Sequence, residues 1–108
     1  MLLVHTTIPV DPDRREAALD LVRDLTKRSR NEPGTVTYRA MTDVVDLNLI
    51  RFFEPYEDQD AAEAQSATDS YEQFEATLPE LVDGEVETMQ TEFEGPPETV
   101  RFGVDELQ

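Results

Sequence analysis

The sequence predicts an α+β fold: a four-stranded antiparallel sheet, built in the chain order β-α-β-β-α-β, with helices on one face. Three observations predict it. Between Glu32 and Tyr56, two extended runs rich in β-branched and aromatic residues flank a polar break at Thr42-Asp43, the pattern of a β-hairpin. On either side of that hairpin, apolar residues recur at helical spacing. Outside both helical stretches lie short runs with strand character, Met1 to Val10 and Glu85 to Phe93.

Each element follows from local chemistry. Met1 to Val10 is β-branched and alternating, and ends at Pro9 and Asp11-Pro12-Asp13. Asp11 suits an N-cap, with Pro12 in the first turn and Glu16 inside it. From Arg14 to Arg30, Ala18, Leu21, Val22 and Leu25 make one apolar stripe. The basic end Lys27-Arg28-Ser29-Arg30 matches the negative pole of the helix dipole. Pro33-Gly34 stops that helix. In the hairpin, Thr35 to Met41 reads as a strand with Val36, Tyr38 and Ala40 on one face. Leu47 to Phe53 reads as the next, with Ile50, Phe52, Glu54 and Tyr56 on one side and Leu47, Leu49, Arg51 and Phe53 on the other; Pro55 is expected to end the ladder. A strand apolar on both sides predicts cover on both sides, by helices on one and by a second copy of the chain on the other.

Beyond the hairpin, Ala61, Ala62 and Ala64 predict a small-residue helix to about Ala67, recapped by Thr68 or Asp69. A further helix runs through Tyr71, Phe74, Leu78, Leu81 and Val82 to Gly84. Glu85 to Phe93 is the fourth strand, and Gly95-Pro96-Pro97 breaks the chain hard. The domain is thus expected over residues 1–94, and residues 95–108 form a C-terminal tail that docks on a partner subunit or stays in solvent. Helical crossovers and a central hairpin give the ferredoxin-like split arrangement.

Charge narrows the function. Twenty-five acidic residues against Lys27 and eight arginines give a formal net charge of −16. Such a surface repels nucleic acid and anionic membranes, so neither is expected as a partner. It also suits very concentrated salt, where screening removes self-repulsion, and a halophilic source is expected. With no cysteine, disulfides and thiolate chemistry are out. No apolar run approaches the ~20 residues of a membrane helix, and no secretory signal is legible, so a cytoplasmic protein is expected.

Several stretches resemble the antibiotic biosynthesis monooxygenase (ABM) domain. These are Asn31-Glu32-Pro33-Gly34, Tyr38, Phe52-Phe53-Glu54-Pro55-Tyr56-Glu57-Asp58, Ala64-Gln65 and Tyr71-Glu72-Gln73-Phe74, spread over residues 1 to 94. The resemblance implies a homodimer in which two sheets form a dimeric α+β barrel, with a pocket between sheet and helices in each subunit. It also implies oxygenation of a phenolic or quinol-type substrate with no metal and no other cofactor. The chain departs from the family pattern where helix histidines are frequent, carrying Gln65 and Ser70, and has Tyr56 where Trp is usual. With no Trp at all, the haem-degrading branch does not fit.

Cofactor-free oxygenation requires a base for a phenolic proton and a dry slot for the anion. Two residues are candidate bases. His5 is the only histidine, on the first strand with Leu3 and Thr7 as same-face neighbours. Glu54 sits on the apolar face of Ile50 and Phe52, where a carboxylate either has a raised pKa or pairs with an arginine, Arg39 or Arg51. Tyr38, Tyr56 and Tyr71 could orient a small aromatic ligand, and Phe52 and Phe74 line the slot or simply fill the core. Gln65 joins the binding set through the resemblance. A single His and no Cys leave only carboxylates as metal ligands, and acidic runs such as Glu57-Asp58-Gln59-Asp60 lack a calcium-loop pattern, so no metal is expected.

Overall fold

The computed structural model describes residues 1–107. Strand β1 (Leu2–Pro9) leads through an Asp11-capped turn, whose side chain accepts from the Asp13 N–H, into helix α1 (Arg15–Ser29). Strands β2 (Arg39–Thr42) and β3 (Leu49–Tyr56) form the hairpin. Helices α2 (Gln59–Ser66) and α3 (Asp69–Thr77) follow, capped by Asp58 and Thr68, and β4 (Glu87–Glu92) closes the sheet. All neighbours are antiparallel, in the order β2-β3-β1-β4. The predicted topology is the one found.

The core lies between the sheet and the helices. Ala18, Val22 and Leu25 of α1 meet Ile8, Ile50 and Phe52 from the sheet and Phe74 from α3. A satellite cluster of Leu2, Val4 and Tyr56 packs against Ala61 and Ala62 of α2. Burial on this scale, ~25 cal/mol per Å² of apolar surface, is what orders the sheet's inner face.

The hairpin differs from expectation in three ways. The first strand is shorter, because Val36 and Thr37 both donate from their backbone N–H groups to the Pro55 carbonyl, at 3.0 and 3.5 Å. Four residue steps from Thr35 to Arg39 face three from Phe53 to Tyr56, so the chain carries one extra residue, a β-bulge. The bulge keeps Tyr38 pointing inward and buried but turns Val36 out, leaving it 49% exposed. Second, Pro55 does not end the ladder: it sits inside β3 opposite Leu3. The N–H and C=O of a strand residue point to the same neighbour. The Pro55 carbonyl points toward the bulge, so its missing donor costs β1 nothing. Third, Leu47 lies in the connection rather than the strand. The Asp43 carboxylate accepts from the Val45 and Asp46 N–H groups and Asp46 from Asn48, which folds this segment as a stack of Asx turns. Those two N–H groups, with Arg51 behind them, hold the Asp43 carboxyl below the ordinary range.

Farther on, α3 ends at Thr77, and a tight turn over Leu78–Glu80 carries Pro79, which a continuing α-helix would not accept. Strand β4 is exposed along its whole length and is held only by β1. The sheet's outer face carries no helix: Arg39, Phe53, His5 and Met89 form one row across it, with Phe53 and Met89 36% and 63% exposed. After Phe93 the chain leaves the body, with Val100, Phe102 and Val104 exposed. The radius of gyration of 15.4 Å exceeds the ~13 Å of a compact chain this long, as a projecting tail requires.

Candidate active site

A cavity of about 660 Å³ opens between the inner face of the sheet and helices α2 and α3. Its floor is Val4, Thr6, Ile8, Phe52 and Glu54; Gln65, Tyr71, Phe74 and Leu78 roof it, and Thr88 and Gln90 of β4 stand at the open side. The strand period of two puts Phe52, Glu54 and Tyr56 on this face together, and the bulge swings Tyr38 in beside them. Tyr38 meets Phe52 edge-on at 5.8 Å between ring centroids, and Phe52 meets Phe74 at 6.0 Å.

Glu54 is the chemical centre. It is 8% exposed, and the Tyr56 hydroxyl donates to its Oε1 at 2.7 Å. Burial pushes its carboxyl above the ordinary range, against the pull of hydrogen bonds from Tyr56 and, more weakly, Tyr38. Burial, then the Glu54 charge, raises the phenols of Tyr38 and Tyr56 far above the usual tyrosine value; Tyr71 is raised by burial and then by Glu75. A second contact of the Tyr56 hydroxyl, to Gln65 Oε1, is 3.4 Å, so the single phenolic proton goes to the nearer and charged acceptor. Gln65 is 1% exposed and donates from Nε2 to Ser29 Oγ at 2.8 Å. Ser29, Gln65, Tyr56 and Glu54 therefore form a row of polar groups in an otherwise apolar wall, hydrogen-bonded as two pairs, Gln65 to Ser29 and Tyr56 to Glu54.

Of the residues singled out in the sequence, Tyr38, Phe52, Glu54, Tyr56, Gln65, Tyr71 and Phe74 all line this one cavity. His5 does not. It lies between Phe53 and Met89 on the outer face, the sheet separating it from Glu54, because one residue along a strand reverses the side chain's direction. The arginine pairing considered for Glu54 is also absent: Arg51 donates instead to Asp43 at 3.0 Å and to Thr7 at 2.7 Å, again on the outer face. Ser29 was the residue missed. Read as part of a basic helix end, it in fact continues the stripe of Val22 and Leu25 at seven- and four-residue spacing, a signal that places it inward. Among the described residues no group of three or more His, Asp or Glu is placed to hold a metal, and no helix is long and apolar enough to cross a membrane.

Comparison with known proteins decides the family. The model for antibiotic biosynthesis monooxygenase matches residues 1–77. The chain belongs to the antibiotic biosynthesis monooxygenase family. YcnE of Bacillus subtilis, provisionally named a monooxygenase, is 27% identical over 92 residues, covering 85% of this chain and 97% of that protein. The uncharacterised sll1783 of Synechocystis is 28% identical over 81 residues, 75% of this chain, but the match takes in only 55% of that protein's length. Among solved structures, an antibiotic biosynthesis monooxygenase superposes with a TM-score of 0.82 at 21% identity, covering 88% of this chain and all of that one. PA3566 of Pseudomonas aeruginosa superposes at 0.80 with 26% identity, covering 87% and 94%. The former likeness is one of fold alone. In this member of the antibiotic biosynthesis monooxygenase family, Gln65 is buried beside Glu54 and Tyr56 and tied to Ser29.

Proposed function

We propose that this protein is a monooxygenase that oxidises a small phenol or quinol with O₂ and no cofactor, with Glu54 as the proton acceptor. The observation carrying this reading is the Glu54 carboxylate itself, buried at 8% exposure in an aromatic-walled cavity and held at one oxygen by Tyr56. A raised carboxyl pKa brings the base closer to the working pH and to the phenol it serves. Glu54 takes the hydroxyl proton, and the resulting phenolate supplies the electrons that reduce O₂. One oxygen atom becomes a ring carbonyl in place of a ring hydrogen, so the product is a quinone, and the other leaves as water with that hydrogen and the proton held by Glu54. Tyr38 and Tyr71 orient the ring, with Phe52 and Phe74 as its apolar walls.

Oxygen uptake with a panel of hydroquinones and naphthols tests this. Steady uptake that is lost in Glu54→Gln and retained in His5→Ala supports the reading, and absence of uptake across the panel overturns it. A second reading, a non-catalytic ligand-binding dimer, is favoured by Gln65, which cannot serve as a base where an imidazole would. Saturable quenching of tyrosine fluorescence without oxygen uptake would select it.

We also propose a twofold homodimer through the outer face, supported by exposed Phe53 and Met89 on a sheet surface with no helix over it. The exposed Val100, Phe102 and Val104 supply a tail segment that docks on the partner. The −16 charge supports work in concentrated salt.

A further inference from the structure

The sheet sorts charge as well as hydrophobicity. Alternation sends His5, Arg39 and Arg51 to the outer face and brings Glu54 inward, with Glu92 in the row of Leu2 and Tyr56 on the exposed edge strand. Of the two arginines flanking the buried Ser29, Arg30 is occupied with the Tyr38 backbone carbonyl at 2.9 Å and Arg28 with Asp24 at 3.1 Å. As a result no residue lining the cavity is Lys, Arg or His, while Glu54 sits in the floor and Glu63 at the rim. The other polar groups are hydroxyls and amides, among them those of Tyr38, Tyr56, Tyr71, Gln65, Thr88 and Gln90.

We propose that the cavity selects an uncharged hydroxylated aromatic and rejects its anionic counterpart, with Glu54 as the residue that sets the preference. This rests on the cavity being the substrate site of the preceding section. A carboxylate, sulfonate or phosphate on the ligand would meet a like charge in a poorly solvated space with no cation to offset it. The net charge of −16 adds a repulsive field on approach. A neutral phenol meets neither obstacle. When it gives its proton to Glu54, the single negative charge moves from the carboxylate to the ligand oxygen, so the cavity's total charge is unchanged. The site can therefore generate an anion that it would not admit.

All three tyrosines of the chain line the cavity and there is no tryptophan, so intrinsic fluorescence reports on this site directly. Titration with a naphthol and with the matching naphthoate, checked by equilibrium dialysis at fixed ionic strength, measures the preference. The naphthoate is expected to bind weaker by on the order of 30- to 100-fold. Glu54→Gln should shrink that ratio to a few-fold. Thr88→Lys, which puts a cation at the open side of the cavity, should strengthen naphthoate binding relative to the naphthol by roughly 10-fold. Equal or tighter binding of the naphthoate, a ratio indifferent to Glu54→Gln, or no saturable binding of either probe would overturn the proposal. Charge preference without oxygen uptake would leave it standing and remove the monooxygenase reading. Uptake without charge preference would do the reverse.

Discussion

The Tyr56 hydroxyl donates to Glu54 Oε1 at 2.7 Å, two residues apart on one face of β3, and Tyr38 adds a weaker bond to the same buried carboxylate. These bonds do not replace the water that Glu54 loses, so its carboxyl is raised. A folded-state pKa above the unfolded one contributes stability at low pH, which is lost as pH rises from the ordinary glutamate value of 4.5 through the raised one. Glu54→Gln removes this dependence while keeping an acceptor for Tyr56. Chemical denaturation should find the variant more stable than the parent at pH 8, the gap closing toward pH 4. A constant gap across that range would mean that the carboxylate is not desolvated as described.

Gln65 donates to Ser29, and its burial leaves no water to take its place. Gln65→Leu keeps the volume but removes the donor to the Ser29 hydroxyl. We expect a loss of about 1–3 kcal/mol, read as a melting temperature lower by roughly 5–15 °C. Adding Ser29→Ala should recover part of it, because removing both partners is cheaper than removing one. Additive losses would show that the two side chains do not depend on each other.

Most of this arrangement was legible in the sequence, and the parts that were not share a cause. The inward set Ile50, Phe52, Glu54 and Tyr56 follows from a period of two, and α1 and α3 from the 3.6-residue repeat, because both patterns are local. The bulge at Val36 and Thr37 is not local. It arises where the segment leading into β2 meets Pro55, nearly twenty residues farther along, and alternation alone kept Val36 inward. Glu54 could be placed on the right face but not given its partner: the arginines that might have paired with it lie across the sheet, and the tyrosine two residues away does instead. His5 drew notice as the lone imidazole, yet with its strand one residue out of phase it belongs to the other surface.

Gly34 adopts φ +80°, and a Cβ there would fall 2.6 Å from the Ala61 Cβ of α2. Its carbonyl also accepts from the Glu57 N–H at 2.9 Å, so the α1–β2 connection is stapled to the start of α2. Gly34→Ala adds left-handed strain of about 1–2 kcal/mol and a steric clash on top. Thermal melts should show the larger loss for Gly34→Ala alone and a partial rescue when Ala61→Gly removes the clashing methyl. No rescue would put the whole cost in the backbone.

With a net charge of −16 on 108 residues, the folded state concentrates like charges that the unfolded chain spreads out. The Debye length falls from ~10 Å at 0.1 M salt to ~3 Å at 1 M, so added KCl should relieve most of that repulsion. The melting temperature is expected to rise by about 5 °C or more between those concentrations. A flat or falling curve would count against adaptation to concentrated salt.

Phe53 is the residue through which the dimer can be tested without touching the cavity. It points away from Glu54, pairs with His5 and Arg39 across the sheet, and is 36% exposed. Buried in a twofold interface it would meet the partner's apolar face, and Phe53→Asp would place a carboxylate there twice, once from each subunit. Light scattering on the purified protein should therefore give a dimer for the parent and a monomer for Phe53→Asp. Removal of residues 95–108 should weaken the dimer less, because the tail adds to an interface whose centre is the sheet. Since the aspartate would be solvent-exposed in the monomer, far-ultraviolet circular dichroism should remain that of the parent. A parent that runs as a monomer would leave the sheet's outer face without the cover that its apolar residues call for.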